Sequence, residues 1–140
     1  MKERYILRPE NKLLRDVMTR GVVTVQMDAT VKEISIMLAK QGLSGVAVIS
    51  EDGVAVGVIS DMDILKVIGK DNWENMTAEF IMTSHMESVK PTMTLGDAAK
   101  IMREKHIHRV LIFSESGVGA SQRPIGILSA SDIVREAARE

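Results

Sequence analysis

GVISDMDIL, residues 57–65, returns further along the chain as GILSASDIV, residues 126–134. In both, a glycine opens a short apolar run, a serine closes it, and an aspartate stands three residues after the serine. An apolar run that ends on a helix-capping residue reads as a strand turning into a helix. A motif that occurs twice calls for an internal repeat to be sought first. Working back from it, Val17-Met18-Thr19 matches Ile81-Met82-Thr83 at an offset of about 64 residues. Without gaps, Val25 then meets Val89, Thr30 meets Thr94, and Val46 meets Val110. Ser50-Glu51 meets Ser114-Glu115, and Gly53-Val54 meets Gly117-Val118. An insertion of about five residues within Gly119–Pro124 then brings Gly57 onto Gly126.

Each copy reads as the same small unit. A short apolar stretch comes first, Val22–Val25 or Met86–Val89. Val31, Ile34 and Leu38 then recur at helical spacing, as do Leu95, Ala98 and Met102. Thr30 with Glu33 is a capping-box pair, and Thr94 with Asp97 is its twin. Val46–Ile49 and Val110–Phe113 are rich in β-branched residues and predict strands. Glu51-Asp52-Gly53 is a hairpin-turn signal, answered by Glu115-Ser116-Gly117. Second strands follow at Val54–Ile59 and Ile125–Leu128, and closing helices near Asp61–Ile68 and Ser131–Arg139. The order strand–helix–strand–strand–helix therefore occurs twice. One such unit buries too little apolar surface to be secure alone, so two are expected to pack sheet against sheet. The polar stretch GKDNWENMT, residues 69–77, joins them, with Trp73 expected over the junction.

Composition narrows the function classes. The chain has 140 residues, 45% hydrophobic and 26% charged, with a net charge of −1. That balance is ordinary for a globular protein and gives no general pull toward nucleic acid or an anionic membrane. Aromatics make up only 3%, so the core must be aliphatic, with ten methionines filling irregular gaps. There is no cysteine, which excludes disulfides, thiolate catalysis and thiolate metal sites. The opening MKERYILRPE is too charged for a signal peptide. No apolar run approaches the roughly 20 residues of a membrane-spanning helix. A cytoplasmic protein with no nucleic-acid or membrane partner is expected.

With both closing motifs in place, the sequence resembles the CBS-domain pair, or Bateman module. That family's pattern runs from a D-V-M-T opening to a closing G-h-h-S/T-x-x-D-h-h, where h is apolar. Copy one carries Asp16-Val17-Met18-Thr19, then Gly42-Leu43-Ser44-Gly45-Val46, Asp52-Gly53 and the Gly57–Leu65 motif. Copy two carries Ile81-Met82-Thr83, then His108-Arg109-Val110-Leu111-Ile112 and the Gly126–Val134 motif. The resemblance covers about 125 residues. It implies an α+β fold of two tandem β-α-β-β-α CBS repeats packed through their sheets with pseudo-two-fold symmetry. The division expected is a tail at 1–11, repeat 1 at 12–69, a linker at 70–77 and repeat 2 at 78–138. Such modules occur within IMP dehydrogenases, chloride channels, cystathionine β-synthase and the γ subunit of AMP-activated kinase. Little sequence lies outside the pair here, so a stand-alone module with no attached catalytic or transport domain is expected.

The closing motif has a plain chemistry. A serine at a helix start sits where free N–H groups favour an anion, and an aspartate three residues on can accept from ribose hydroxyls. The same S-x-x-D pattern is equally a helix cap, and the two uses are compatible. The resemblance adds a nucleotide held by one repeat's closing motif and walled by the other's early strands. Site 1 would use Val58, Ser60 and Asp63, walled by Thr83, Met86, Glu87, His108, Arg109 and Leu111. Site 2 would use Ile127, Ser129 and Asp132, walled by Thr19, Val22, Val23, Ser44, Gly45 and Ala47. His108-Arg109 stands where kinase-type γ subunits carry a phosphate-touching His-Arg pair, and a guanidinium suits a phosphate. The alternative for Arg109 is a surface carboxylate partner. Two features depart from the family: Glu87 sets a negative charge beside site 1, and Leu111 and Ala47 stand where proline is common. Site 2 has no basic residue of its own in this reading. Lys66, Arg135 and Arg139 read as ordinary surface charges, and His85 as a solvated turn residue. His106 and His108 lack the third ligand that a metal site would need.

The function implied is a regulatory sensor that binds AMP, ADP or ATP and signals to a partner by conformational change. It would need no cofactor or metal, and would regulate a protein of unknown identity. The alternative is an interaction module that dimerises and docks on an enzyme or transporter without physiological nucleotide binding. An enzyme is not expected, because no motif activates a nucleophile. The resemblance also implies a homodimer through helices, with Ile64, Leu65, Val67, Ile68, Ile133 and Val134 as interface or core.

Overall fold

The computed structural model describes residues 8–18, 22–84, 86–114 and 124–139. In chain order its elements are α1 (Leu14–Val17), β1 (Thr24–Gln26), α2 (Val31–Gln41), β2 (Gly45–Ile49), β3 (Ala55–Ser60) and α3 (Asp61–Leu65). Then come α4 (Ala78–Ile81), β4 (Ser88–Val89), α5 (Leu95–Lys105), β5 (Arg109–Phe113), β6 (Pro124–Ser129) and α6 (Ala130–Ala137). Both predicted capping boxes form. The Glu33 N–H donates to Thr30 Oγ1 at 3.1 Å, and the Asp97 N–H to Thr94 Oγ1 at 3.0 Å. The returning carboxylates accept from the Thr30 and Thr94 N–H groups at 3.2 and 3.0 Å. Each cap removes orphan donors and stabilises its helix by about 1 kcal/mol.

Each repeat forms one three-stranded sheet, ordered β1-β2-β3 and β4-β5-β6. The first two strands of each pair in parallel and the last two antiparallel. Register is repeated as well: Gly45 pairs with Ser60, and Arg109 with Ser129. Between β2 and β3 the Gly53 N–H donates to the Ser50 carbonyl at 2.9 Å, closing the predicted turn. The matching turn signal, Glu115-Ser116-Gly117, and the insertion after it lie outside the described residues.

Apolar side chains collect in separate layers. One face of each sheet packs on helices: Val31, Ile34, Val46, Val48 and Ile59 in the first repeat, Leu95, Ala98, Val110, Ile112 and Leu128 in the second. The opposite faces meet each other through Ala47, Ala55 and Leu111, ringed by Val22, Val58, Met86, Phe113 and Ile127. The sheets do pack together as expected, but the shared layer is thin and most of the burial lies within the two helix-side cores. Trp73 joins the first of these cores rather than capping the junction.

The short helices are exchanged between the repeats. Leu14 of α1 is fully buried in the second core, and Ala78 of α4 in the first. Backbone bonds hold both in place. The Leu14 N–H donates to the Met93 carbonyl at 2.8 Å, and the Leu95 N–H to the Lys12 carbonyl at 2.9 Å. The Ala78 N–H donates to the Ala29 carbonyl at 2.8 Å, and the Val31 N–H to the Met76 carbonyl at 2.8 Å. The segment opening each repeat therefore completes the other one.

Two backbone features bear on the site. A Cβ at Gly57 would stand 2.6 Å from Met82 Sδ and 3.0 Å from the Thr83 carbonyl, so glycine admits the strand-like contact between Val58 and Thr83. α2 ends on Gly42 in the left-handed conformation, φ 62°, whereas α5 ends the same way on His106, φ 56°. A left-handed residue with a Cβ costs about 1–2 kcal/mol.

Candidate functional site

β3 delivers Ser60 to the start of α3, where the S-x-x-D motif folds on itself. The Ser60 N–H donates to Asp63 Oδ2 at 2.8 Å, and the Ser60 hydroxyl to the same oxygen at 3.3 Å. Thr83, brought across by the β3 contact, donates its hydroxyl to Asp63 Oδ1 at 3.3 Å. Asp63 is only 7% exposed, so these donors replace the water it has lost. The turn closes on itself at residues that also line a cleft. α3 is a single short turn of five residues, however, so its dipole adds little for an anion and cationic side chains must do that work.

A cleft of about 280 Å³ opens between the repeats and is lined by Val58, Ser60, Asp63, Thr83, Met86, Glu87, His108, Arg109 and Leu111, the full site-1 set. The volume lies near the lower end of ligand pockets, which run from about 300 to 1,000 Å³. Met62, Lys66, His106, Ile107 and Val110 line it as well. Sequence reading left out Lys66, which looks like a solvated helix charge. Its place one turn after Asp63 was the available signal, and its Nζ lies 3.9 Å from Asp63 Oδ1. Glu87 does not stand as a bare negative charge, because Lys105 Nζ lies 3.1 Å from its carboxylate.

Arg109 is held at the seam. Its Nη2 lies 3.6 Å from Asp61 Oδ1, so the carboxylate partner is realised, though Asp61 is itself exposed. Its Nε is buried with no hydrogen-bond partner among the described residues. The side chain lies over Gly45, where a Cβ would come within 3.0 Å of that Nε. A buried donor without a partner is costly and marks a group ready to take an acceptor.

The site-2 residues are placed differently. Thr19 lies outside the described residues. Val22 and Ile127 pack at the inter-sheet layer, and Val23 against the first helix-side core. Ile127 and Asp132 line a hollow of about 300 Å³ with Arg135, Glu136 and Arg139, so basic residues are present there, each paired with a carboxylate, where the sequence reading placed none. Ser129 faces a separate hollow with Asp61, His108 and Arg109. Ser44 is exposed, and Gly45 and Ala47 are buried in β2. Ser129 and Asp132 form a complete capping box, with the Asp132 N–H on Ser129 Oγ at 3.1 Å and the Ser129 N–H on Asp132 Oδ2 at 2.8 Å. Arg135 Nη1 donates to Asp132 Oδ1 at 3.0 Å.

Beside that hollow, Glu136 is 8% exposed and takes Lys12 Nζ at 2.7 Å and Arg139 Nη1 at 3.3 Å. The Lys12 hydrogen bond, with Arg139 adding to it, holds the Glu136 carboxyl below the usual range against an opposing effect of burial. Among the described residues no three His, Cys, Asp or Glu side chains come together as a metal site, and no helix is long and apolar enough to cross a membrane.

Twin three-stranded sheets joined face to face, each ending in the same serine-to-aspartate turn, define a tandem-repeat architecture with a cleft between its repeats. The CBS domain model matches residues 14–70 and again residues 78–139, and the chain belongs to the CBS-domain family. An uncharacterized protein of Methanopyrus kandleri, MK0525, is 28% identical over 122 residues, which are 86% of this chain and 60% of that protein. The inosine-5'-monophosphate dehydrogenase of Aquifex aeolicus is 28% identical over 113 residues, 81% of this chain but 22% of that enzyme. The chain thus spans less than two thirds of the first relative and under a quarter of the second. Among solved structures, the CBS domain pair of protein MJ0100, in complex with 5'-methylthioadenosine and S-adenosyl-L-methionine, superposes with a TM-score of 0.76 at 25% identity, covering 89% of this chain and 94% of that one.

Proposed function

We propose that this chain is a cytoplasmic regulatory module that binds an adenine nucleotide, AMP, ADP or ATP, between its two repeats and signals to a partner by conformational change. The observation that carries this reading is the convergence of nine residues from both repeats on one cleft. Val58 and Leu111 offer apolar walls for a base, Asp63 an acceptor for ribose hydroxyls, and Arg109 and Lys66 cations for phosphate. MJ0100, a relative by fold and sequence, carries two adenosine-bearing ligands, which supports the adenosine class. A ligand that touches both repeats can bias their relative angle to the extent that it binds one arrangement better. Site 2, with its residues spread over separate hollows, is the weaker site in this reading. The module acts by binding alone and performs no catalysis.

Met62, Leu65, Ile68 and Val134 are exposed apolar side chains on or just after the closing helices. They are the surface proposed to pair with a second copy. Ile64 and Val67 are buried in the first core, and Ile133 packs on the second.

Calorimetry on ligand-stripped protein with AMP, ADP, ATP and S-adenosylmethionine tests the reading. Saturable binding of at least one adenine nucleotide, weakened in Asp63→Ala, is expected. No heat from any of them would leave the docking role in its place.

A further inference from the structure

The chain stays helical for a few residues past the end of α3. The Lys66 N–H donates to the Met62 carbonyl at 3.2 Å, and the Val67 and Ile68 N–H groups both donate to the Ile64 carbonyl at 3.1 Å. Closures of this kind keep side chains three residues apart on one face. Met62, Leu65 and Ile68 therefore form a stripe, and they are 56%, 61% and 51% exposed. Their repeat mates are Ser131, Val134 and Ala137, of which Val134 alone is a large apolar side chain. Two helices with the same place in the fold thus differ in one respect. The first carries an uncovered apolar stripe, which marks an interaction surface.

The charges beside the stripe suit a copy of itself. Asp61 lies at its start and Lys70 at its end, both exposed. Leu65 stands midway between Met62 and Ile68. A two-fold axis through Leu65, with the helices antiparallel, sets Met62 on Ile68 of the second copy and Asp61 near its Lys70, each contact made twice. Parallel helices would set aspartate beside aspartate and lysine beside lysine, which like charge disfavours. Gly69 leaves room at that end, since nothing stands within 4 Å of where its Cβ would lie.

The same residues belong to the cleft. Met62 lines it beside Ser60 and Asp63. Asp61 lies 3.6 Å from Arg109, whose Nε has no partner among the described residues. A lysine brought to Asp61 by the second copy loosens its hold on Arg109 and leaves the guanidinium to a phosphate.

We propose that a second copy of this chain seats its α3 antiparallel on this one, and that this pairing and nucleotide binding in the cleft strengthen each other. The coupling rests on the nucleotide reading of that cleft, whereas the pairing does not. Whatever factor the nucleotide adds to dimer affinity, the dimer adds to nucleotide affinity.

The native chain has no cysteine, so Leu65→Cys and Val134→Cys each carry a single thiol. A disulfide needs Cα atoms within about 7 Å of each other. With a thiol oxidant and no nucleotide, Leu65→Cys is expected to cross-link to its own copy, and a mixture of the two variants to give little mixed product. No Leu65→Cys cross-link, or a mixed product in excess of it, would seat the copy elsewhere and overturn the pairing. Leu65→Gln with Ile68→Gln removes the stripe without adding charge, and neither residue lines the cleft. This double variant is expected to sediment as a monomer where the native protein is a dimer, with its melting transition retained. It is expected to bind AMP and ATP roughly tenfold more weakly. A double variant that stays dimeric overturns the pairing. Equal nucleotide affinity in a monomeric double variant overturns the coupling and leaves the nucleotide reading intact. A native protein that binds neither AMP nor ATP removes that reading and the coupling together, while the cross-links still decide the pairing.

Discussion

The two repeats share strand order, register and caps, yet they close their cores in opposite ways. In the first, Val67 is buried after α3, and Met76 packs on the same core. The matched residues in the second are Glu136 and Lys12, a carboxylate and an ammonium 2.7 Å apart. The closing motifs diverge in the same manner. Asp63 is buried and takes Thr83 from the far side of the cleft, whereas Asp132 is half-exposed and takes Arg135 from its own helix. One backbone plan thus supports an apolar end beside a gathered cleft and an ionic end beside dispersed hollows. Backbone topology fixes where the motifs fall, and the side chains decide what each can hold.

The layer between the sheets is where this asymmetry is easiest to break. Leu111 is fully buried there, opposite an alanine repeat-mate, Ala47, which is also fully buried. Leu111→Ala leaves a cavity and should cost about 2–5 kcal/mol in denaturant unfolding. Adding Ala47→Leu to it should recover part of that loss if the layer needs volume rather than a particular side. The glycines come next. Gly57→Ala drives a methyl into Met82 and the Thr83 carbonyl and should cost about 1–3 kcal/mol. Gly126→Ala meets its nearest atoms at 3.4 Å and should stay within about 0.5 kcal/mol of the native protein. Equal losses in the two would remove the claim that β3 is more closely approached at Gly57 than β6 is at Gly126.

Of the aspartates, Asp63→Ala should weaken nucleotide binding in calorimetry and Asp132→Ala should change it little. Each loses a cap worth about 1 kcal/mol. Acid sensitivity is the smallest effect. Glu136 has a folded-state pKa below its unfolded one, so its contribution is fully present above the ordinary carboxylate range. That contribution is lost as pH falls through the lowered value. The double change Lys12→Met with Glu136→Val, which copies the first repeat, should flatten the acid limb of a melting-temperature profile. An unchanged profile would show that the pair carries no linkage.

Much of this was legible from the sequence because each unit carries its own local signals. Thr30 with Glu33, Thr94 with Asp97, the β-branched runs and Glu51-Asp52-Gly53 all act within a few residues of themselves. The site-1 residues could be named because the family resemblance supplies a nucleotide walled by the other repeat, and two copies of the closing motif set the positions to carry it onto. What escaped was non-local. Nothing in the LRDV of α1 or the AEFI of α4 says which repeat each will cover. Lys66 looks solvated until the far wall is in place, and Trp73 sits on the near core rather than the junction. His106 was weighed as a metal ligand, and its backbone conformation became visible only through comparison with Gly42.

The exchange of α1 and α4 sets an order of assembly during synthesis. The first sheet and its helices receive α4, which begins at Ala78 after α3 has ended at Leu65, so that body can close early. The second body needs Leu14, made ahead of the first sheet, and must hold a place for it until β6 has been added. Until then the opening segment waits with an apolar side chain uncovered, while strands β4 and β5 lack part of their lid. A chain that has emerged from the ribosome only as far as residue 84 would therefore carry one closed half and one loose end, and the last of these contacts to form is between α1 and β6.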